Sequence, residues 1–277
     1  SGHTTLHYVV RSGNIESIKA ILALYPESQH FQMMSTLCGR QDETALHCAV
    51  DAKNLELIKF ILSLYPESQL LQAVCMKDQC QNTVLHCVAH SCDHQFMKTI
   101  LEAIPEPQRA HAMSVQDSHG NTVLACISRE DNLPSLRAIL SLLPKSQRLQ
   151  IVTVRDRSKM TVLHHHADDL YLVGTILNSL SEIDRLQAVN IQDGCGRTVL
   201  HRAAIVHKLE SVRTILHSIP ASKCVQVVST QDLDGDTVLH SAARSCTDEL
   251  VQVILESIPE SERLQAVMIR NANNETA

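Results

Sequence analysis

The sequence predicts an all-α helical repeat solenoid of about seven repeats, and three observations support this fold class. A four-residue string, Thr-Val-Leu-His or a close variant, returns at a nearly constant interval. Each copy is followed by amphipathic stretches with helical spacing of apolar residues. The chain is 44% apolar but only 3% aromatic, and Trp is absent. A core of Leu, Ile, Val and Ala suits thin helices packed closely together better than a wide ligand cavity.

The spacing of the repeated string gives the period of the array. The leading threonines are separated by 40, 39, 39, 39, 37, 39 and 39 residues. They are Thr4, Thr44, Thr83, Thr122, Thr161, Thr198, Thr237 and Thr276. A constant period in this range indicates stacked units that pack mainly on their neighbours. We therefore predict a single array over residues 1–277, a fragment of a longer protein that is cut inside a repeat at both ends.

Each repeat predicts two helices and, in most repeats, an extra short helical turn. In the third repeat, Thr83 can cap a first helix that opens with apolar Val84. A second helix is predicted over residues 94–104. The segment 66–74 opens with Pro and an acidic residue, which both suit the first turn of a helix. Two residues are missing near Asp168, where we expect a local irregularity.

The pattern Asp-x-x-Gly-x-Thr-x-Leu-His-x-Ala-Ala resembles the ankyrin repeat. It is clearest over residues 193–204 and 232–243. The family's proline after Thr is replaced by Val, Ala or Thr, and the period exceeds the usual value of about 33. Such long, divergent repeats resemble in style those of effector proteins from intracellular bacteria. The resemblance implies that turn fingers and first helices form a concave face that binds other proteins, without chemistry of its own.

Composition narrows the function classes. A net charge of −6 argues against a nonspecific nucleic-acid binder, which would carry a basic stripe. No apolar run reaches the roughly 18 residues needed to cross a bilayer. Cys48, Cys87 and Cys126 fall at one place in successive repeats, which predicts reduced core residues in a reducing cytosol. We expect an intracellular protein that is monomeric and associates weakly end to end. Secretion by a bacterium into host cytoplasm is a further expectation for its localisation.

Six histidines recur at one position and raise the alternatives of a metal site or a catalytic site. They are His7, His47, His86, His164, His201 and His240. Recurrence in almost every unit favours a bond to the neighbouring turn, which is also the role that the resemblance implies. The Cys/His cluster around His86 lacks a Cys-x-x-Cys pair, and the Asp-rich stretch at 232–236 lacks the Gly and Glu of a calcium loop. We predict no metal, no cofactor and no enzyme activity; elemental analysis would test the metal-dependent alternative.

Partner-binding residues are expected at the finger tips and at the start of the inter-helix turn, which differ between repeats. Arg155, Arg157 and Lys159 make one basic finger. An acidic finger two units further on contains Asp232, Asp234 and Asp236. The other candidates on the concave side are Asp51, His90, Arg129, Glu130, Asp168, Asp169, Arg202 and Arg244. The alternative interpretation is that these charges only keep the array soluble.

The sequence therefore predicts a protein–protein interaction scaffold, part of a bacterial effector, that binds a protein partner through its concave face and finger tips. The alternative is a region that recruits substrate for an enzyme whose catalytic domain lies outside this chain. Neither hypothesis identifies the partner.

Overall fold

The computed structural model describes residues 4–39, 41–91, 93–127, 133–245 and 248–277. Two predicted partner-binding residues, Arg129 and Glu130, lie outside the described residues. Within the described ranges the chain forms 21 helices and no extended strand. The helices are Thr5–Arg11 (α1), Ile15–Leu22 (α2), Glu27–Ser35 (α3), Ala45–Asp51 (α4), Leu55–Ser63 (α5), Glu67–Cys75 (α6), Val84–Ser91 (α7), His94–Ala103 (α8), Glu106–Ser114 (α9), Val123–Cys126 (α10), Leu133–Leu142 (α11), Lys145–Val152 (α12), Val162–His165 (α13), Leu170–Asn178 (α14), Glu182–Val189 (α15), Val199–Ile205 (α16), Leu209–His217 (α17), Ala221–Val228 (α18), Val238–Arg244 (α19), Asp248–Glu256 (α20) and Glu260–Val267 (α21).

The helices group into two compact units, Ser1–Pro144 and Lys145–Ala277. In the first unit, the first helices α1, α4, α7 and α10 pack in a row, and the second helices α5, α8 and α11 form another row. In the second unit, α13, α16 and α19 form the row of first helices, and α14, α17 and α20 form the row of second helices. Within each unit, every repeat therefore packs on its sequence neighbour, which confirms the predicted all-α repeat architecture.

The core consists of aliphatic side chains that return with the period of the repeat. The leucine two residues after the leading threonine is at most 1% exposed in six repeats, at Leu46, Leu85, Leu124, Leu163, Leu200 and Leu239. An isoleucine near the end of the second helix is equally buried at Ile100, Ile139, Ile176, Ile215 and Ile254. Full burial of such a side chain contributes about 1.5–3 kcal/mol. These positions fix which faces of the helices point inward.

The predicted extra turn of each repeat is a complete third helix of eight or nine residues, as in α6 and α15. Pro66 precedes α6, and Glu67 lies in its first turn. Ser181 stands where most repeats have proline, and its Oγ caps α15 by accepting a hydrogen bond from the Asp184 amide at 3.2 Å. A serine cap therefore replaces the proline without loss of the helix.

An arginine on the third helix connects neighbouring repeats. Arg185 Nε donates to the carbonyl of Leu180 at 3.1 Å, and its Nη1 donates to the carbonyl of Ser218 at 3.3 Å. Arg109 makes the corresponding pair of bonds in the first unit, at 3.0 Å each. The accepting carbonyls follow the second helices of two successive repeats, where helix ends lack intrahelical partners. The third helix thus supplies hydrogen bonds to carbonyls at the ends of two second helices. This contact gives a structural role to the residues that lengthen the repeat.

The fifth repeat, in which two residues are missing, keeps the helices of the other repeats. Its first helix, α13, has only four residues, whereas α16 has seven. Asp169 then caps α14, because its Oδ1 accepts hydrogen bonds from the amides of Tyr171 and Leu172 at 2.9 and 3.0 Å. The second helix is therefore left at full length, and α13 is as long as α10, the first helix of the fourth repeat, which has no deletion.

We predict that Arg185→Met lowers the free energy of unfolding by about 1–3 kcal/mol, because the substitution keeps the aliphatic stem but removes both hydrogen bonds to helix-end carbonyls. Urea denaturation followed by circular dichroism measures the change. The matched control is Arg213→Met, which removes only an exposed pair with Glu210 and should change stability by less than about 0.5 kcal/mol. Equal effects of the two substitutions would contradict a connecting role for Arg185.

Candidate recognition surface

Five of the six repeated histidines join the start of their own first helix to the next finger. The Thr161 amide donates to His164 Nδ1 at 3.1 Å, and Thr161 Oγ1 lies 2.8 Å from the same nitrogen. His164 Nε2 lies 3.0 Å from the carbonyl of Arg197, to which it donates when it carries the proton. A neutral ring with its hydrogen on Nε2 satisfies all three partners.

The same arrangement recurs in both units, with Nε2–carbonyl distances between 3.0 and 3.3 Å. The histidine and carbonyl pairs are His47 with Asn82, His86 with Asn121, His164 with Arg197, His201 with Asp236, and His240 with Glu275. Burial lowers the pKa of His47, His86 and His201, and it lowers the pKa of His164 to about 4. The structural role predicted for these histidines is confirmed.

The fingers are built on a buried acidic residue. Asp193 Oδ1 accepts hydrogen bonds from the amides of Cys195 and Arg197 at 2.8 and 3.0 Å. Burial alone would raise the pKa of Asp193, but these two amides and the Arg202 guanidinium hold it below the ordinary value. The same Oδ1 contacts recur at Asp117, Asp156, Asp232 and Asn271. The finger therefore has a fixed backbone whatever its tip residues are.

Successive finger tips in the second unit are bonded backbone to backbone at 2.8–3.0 Å. The donor amides and acceptor carbonyls are Gly194 to Ser158, Leu233 to Cys195, and Ala272 to Asp234. The approach is so close that a Cβ on Gly196 would lie 2.7 Å from the Leu233 nitrogen, and Gly196 also has φ +77°. Lys159 occupies the equivalent left-handed position with φ +58°. The tips are thus held in fixed positions within this unit.

A side chain at the base of each finger adds further bonds, and Arg155 is one of these. Gln192 Nε2 donates to the carbonyls of Gly196 at 2.7 Å and Gln231 at 2.9 Å, bridging two repeats. Arg155 holds the equivalent position: its Nε donates to the Lys159 carbonyl at 3.0 Å, and its Nη2 donates to the Gln192 carbonyl at 2.6 Å. Arg155, predicted as a partner-binding residue, therefore also belongs to the hydrogen-bonded frame of the fingers, by which we mean the repeated bonds that hold the finger backbones.

The acidic finger directs two of its three carboxylates inward. Asp236 is 2% exposed, pairs with the Arg244 guanidinium and accepts a hydrogen bond from Asn271 Nδ2 at 2.9 Å. Asp232 is also buried, and its carboxylate lies 3.4 Å from Arg197 Nε. By contrast, 75% of the Asp234 side chain is exposed. Of this predicted set, Asp234 is the carboxylate that a partner could reach.

The other predicted residues divide in the same way. Arg202 pairs with Asp193 at 2.9 Å, and Asp169 is the cap of α14 described above. Asp51 ends α4 and is exposed, 3.8 Å from Arg11. Burial is the main cause that raises the pKa of the Asp51 carboxyl. His90 and Asp168 are exposed.

One apolar residue at a finger tip was not among the predicted partner-binding residues. Leu233 is 76% exposed. It shares a groove with Arg155, Lys159, Ile191, Gln192, Asp193, Gly194 and Gly196. The signal was present in the sequence, because the equivalent tip residues in other fingers are Gln79, Ser118, Arg157, Gly194 and Ala272. None of these is a large aliphatic side chain, so Leu233 is the exception that the repeat alignment reveals.

The described residues offer no assembled chemistry at this surface. Among them, no three His, Cys, Asp or Glu side chains are placed to hold a metal ion. Burial raises the pKa of the Cys48 thiol to about 11 and that of the Cys87 and Cys126 thiols to about 12. These thiols therefore stay protonated near neutral pH and are poor nucleophiles. In the same described part of the chain, no helix is long and apolar enough to cross a membrane.

Comparisons with known proteins agree with the geometry. Residues 163–264 match the family model for ankyrin repeats, in three copies. No curated protein sequence gives a significant match. Among solved structures 369 chains match, including the ankyrin repeat domain of Bcl-3, described as a unique member of the IkappaB protein family. That match has a TM-score of 0.71 and 18% sequence identity, and it covers 92% of this chain and 99% of the other.

Residues 163–264 are therefore ankyrin repeats, and the chain has the ankyrin-repeat fold. The predicted ankyrin-type helical array is confirmed. Ankyrin repeats are generally protein–protein interaction modules, and the fold is typically a non-catalytic scaffold.

We predict that acid destabilises the protein through the buried histidines. The pKa of His164 is about 4 in the folded chain and about 6.5 when it is unfolded. Its contribution, on the order of 3 kcal/mol, is complete above pH 6.5 and is lost as pH falls towards 4. Urea midpoints measured between pH 7 and pH 4 should therefore decrease.

The test variant is His164→Ala, which copies the natural Ala125 of the fourth repeat. It should be less stable than the wild type at pH 7 and should lose less stability between pH 7 and pH 4. The control is Gln79→Ala, which alters an exposed tip side chain that does not ionise and should leave the pH dependence unchanged. An unaltered pH dependence in His164→Ala would rule out this histidine as a source.

Proposed function

We propose that this chain is a non-catalytic scaffold that recognises a partner protein through its fingers and the adjoining ends of its first helices. One observation carries the proposal: the bonds that build each finger are repeated, whereas the exposed side chains at the tips differ. Arg157, Lys159, Leu233 and Asp234 are exposed on fingers of one fixed frame. Fixed positions and variable side chains are what selective binding requires.

The frame separates structural charges from charges available to a partner. Asp236 and Arg202 have partners inside the array. In the described part of the chain, the side chains of Arg157 and Lys159 have neither an ion pair nor a hydrogen bond. A partner that contacts these two cations therefore does not have to break bonds that hold the finger together. This favours recognition at the tip without loss of stability.

We predict that the double substitution Arg157→Glu and Lys159→Glu weakens capture of the partner about tenfold or more, because it replaces two attractive charges by two repulsive ones. The chain is immobilised, incubated with cell lysate, and the bound proteins are quantified by mass spectrometry. Arg155 is left unchanged because it holds the finger.

The matched control for this capture is Lys145→Glu with Lys223→Glu, the same charge change at exposed positions of α12 and α18. Thermal unfolding confirms that both variants fold. A protein lost from the tip variant and kept by the control supports the proposal. Absence of any protein that distinguishes the variants, under conditions where the wild type binds, contradicts recognition through this finger.

We further propose that the repeats form one array over residues 1–277 and belong to a bacterial effector that acts in the reducing cytosol of a host cell. The period of 39 continues from Thr122 to Thr161, across the boundary of the two units, which supports one array. Long, divergent repeats and the free thiols of the described cysteines support the effector role. In an enzyme-reporter fusion expressed by the source bacterium, we expect delivery into host cells; failure of delivery from a secretion-competent strain contradicts it.

A further inference from the structure

We call the groove beside Leu233 the tip groove. Glycine backbone, aliphatic side chains and cations line it. It lies between the fingers 156–160 and 193–197 and reaches the tip of the finger 232–236. Gly194 and Gly196 contribute backbone without side chains. Ile191 and Leu233 supply apolar surface, and Arg155 and Lys159 supply positive charge. The groove therefore combines open backbone, aliphatic contact and cations within one unit.

The acidic side chains at the start of these two fingers have partners within the array. Asp193 lines the groove, but its carboxylate accepts hydrogen bonds from two finger amides and from Arg202 at 2.9 Å. Asp156 lies 2.8 Å from His165 Nε2 and is also bonded to finger amides. Lys159 lines the groove, and Arg157 lies two residues before it on the same finger; neither side chain has an ion pair or a hydrogen bond among the described residues. The rim is thus positive in a chain with a net charge of −6.

The fold does not require the exposed leucine. Leu233 contributes its backbone amide to the bond with the Cys195 carbonyl, and its side chain is left 76% exposed. Small or polar residues fill the equivalent position in other fingers and form the same type of finger, as Ser118 and Gly194 do. Leu233 and Lys159 line the same groove, so one surface offers aliphatic contact and positive charge together.

We propose that the tip groove binds a short acidic segment of the partner protein, which places an apolar side chain against Leu233 and Ile191 and its carboxylates near Arg157 and Lys159. The inference rests on the proposed function and narrows the chemistry of the partner. A peptide fits better than a nucleic acid, because it offers carboxylates and an aliphatic side chain together. The exposed Asp234 on the next finger would repel a continuous phosphate backbone.

The test is a selection of random dodecapeptides displayed on phage against the full chain, followed by fluorescence titration of the enriched peptides. We expect enriched sequences with two or more acidic residues within four positions of Leu, Ile, Val or Met. Affinity should fall about tenfold in Arg157→Glu with Lys159→Glu, and between 50 and 300 mM salt in the wild type, because exposed charges are screened. Leu233→Ser, which copies Ser118, should weaken binding about threefold to tenfold.

A second variant shows whether weaker binding by the charge-reversal variant results from misfolding. Arg157→Ser with Lys159→Gly copies the finger Asp117-Ser118-His119-Gly120 and removes the left-handed lysine, so it should fold at least as stably as the wild type. It should weaken peptide binding threefold or more. The control, Lys145→Glu with Lys223→Glu, should leave affinity within twofold.

The outcomes separate the two proposals. Enriched peptides without acidic bias, or acidic peptides whose affinity is unchanged in both tip variants, overturn the tip groove while protein recognition stands. Binding of single-stranded DNA that depends on Arg157 and Lys159, with no peptide enriched, also overturns it. Failure to enrich any peptide together with failure to capture any protein from lysate counts against both proposals.

Discussion

The hydrogen bond from a repeated histidine to a carbonyl of the next finger, present in five repeats, is the interaction on which the rest of the structure depends. The ring accepts from the threonine amide that starts its own helix and donates to a finger one repeat away, as His164 does between Thr161 and Arg197. The ring is buried, so loss of either bond would leave a polar group without a partner at a substantial cost. The histidine thereby sets the position of a helix start relative to the neighbouring finger.

This constraint leaves the tips free to vary. Once the buried Asp of the finger and the backbone bonds between tips fix the loop, the side chains between them have no structural task. Ser118, Arg157, Gly194 and Leu233 occupy equivalent places on fingers built in the same way. The atoms that hold the loop and the side chains exposed at its tip are therefore different, so under the proposed function recognition can change without refolding.

Much of the fold can be predicted from the sequence because its signals are local and repeated. Thr83 as a helix start, the second helix near residues 94–104 and the structural role of the histidines follow from spacing alone. The length of the third helix was harder to predict, because one of the two hydrogen bonds made by Arg185 goes to a carbonyl in the next repeat. For the same reason, Asp236 and Arg155 look like surface charges in the sequence. Their partners, Arg244 and Asn271 for the first and backbone carbonyls for the second, become visible only after stacking. Leu233 was predictable in principle, since it departs from the repeat alignment.

The exchange of glutamine and arginine at the base of the fingers has a genetic consequence. Gln192 and Arg155 make the same two kinds of bond to carbonyls, one within the finger and one to the next repeat. A single nucleotide converts a glutamine codon into an arginine codon. The electrostatic character of a finger can therefore change in one mutational step while its hydrogen bonds are retained, which gives such arrays a short evolutionary route to new partners.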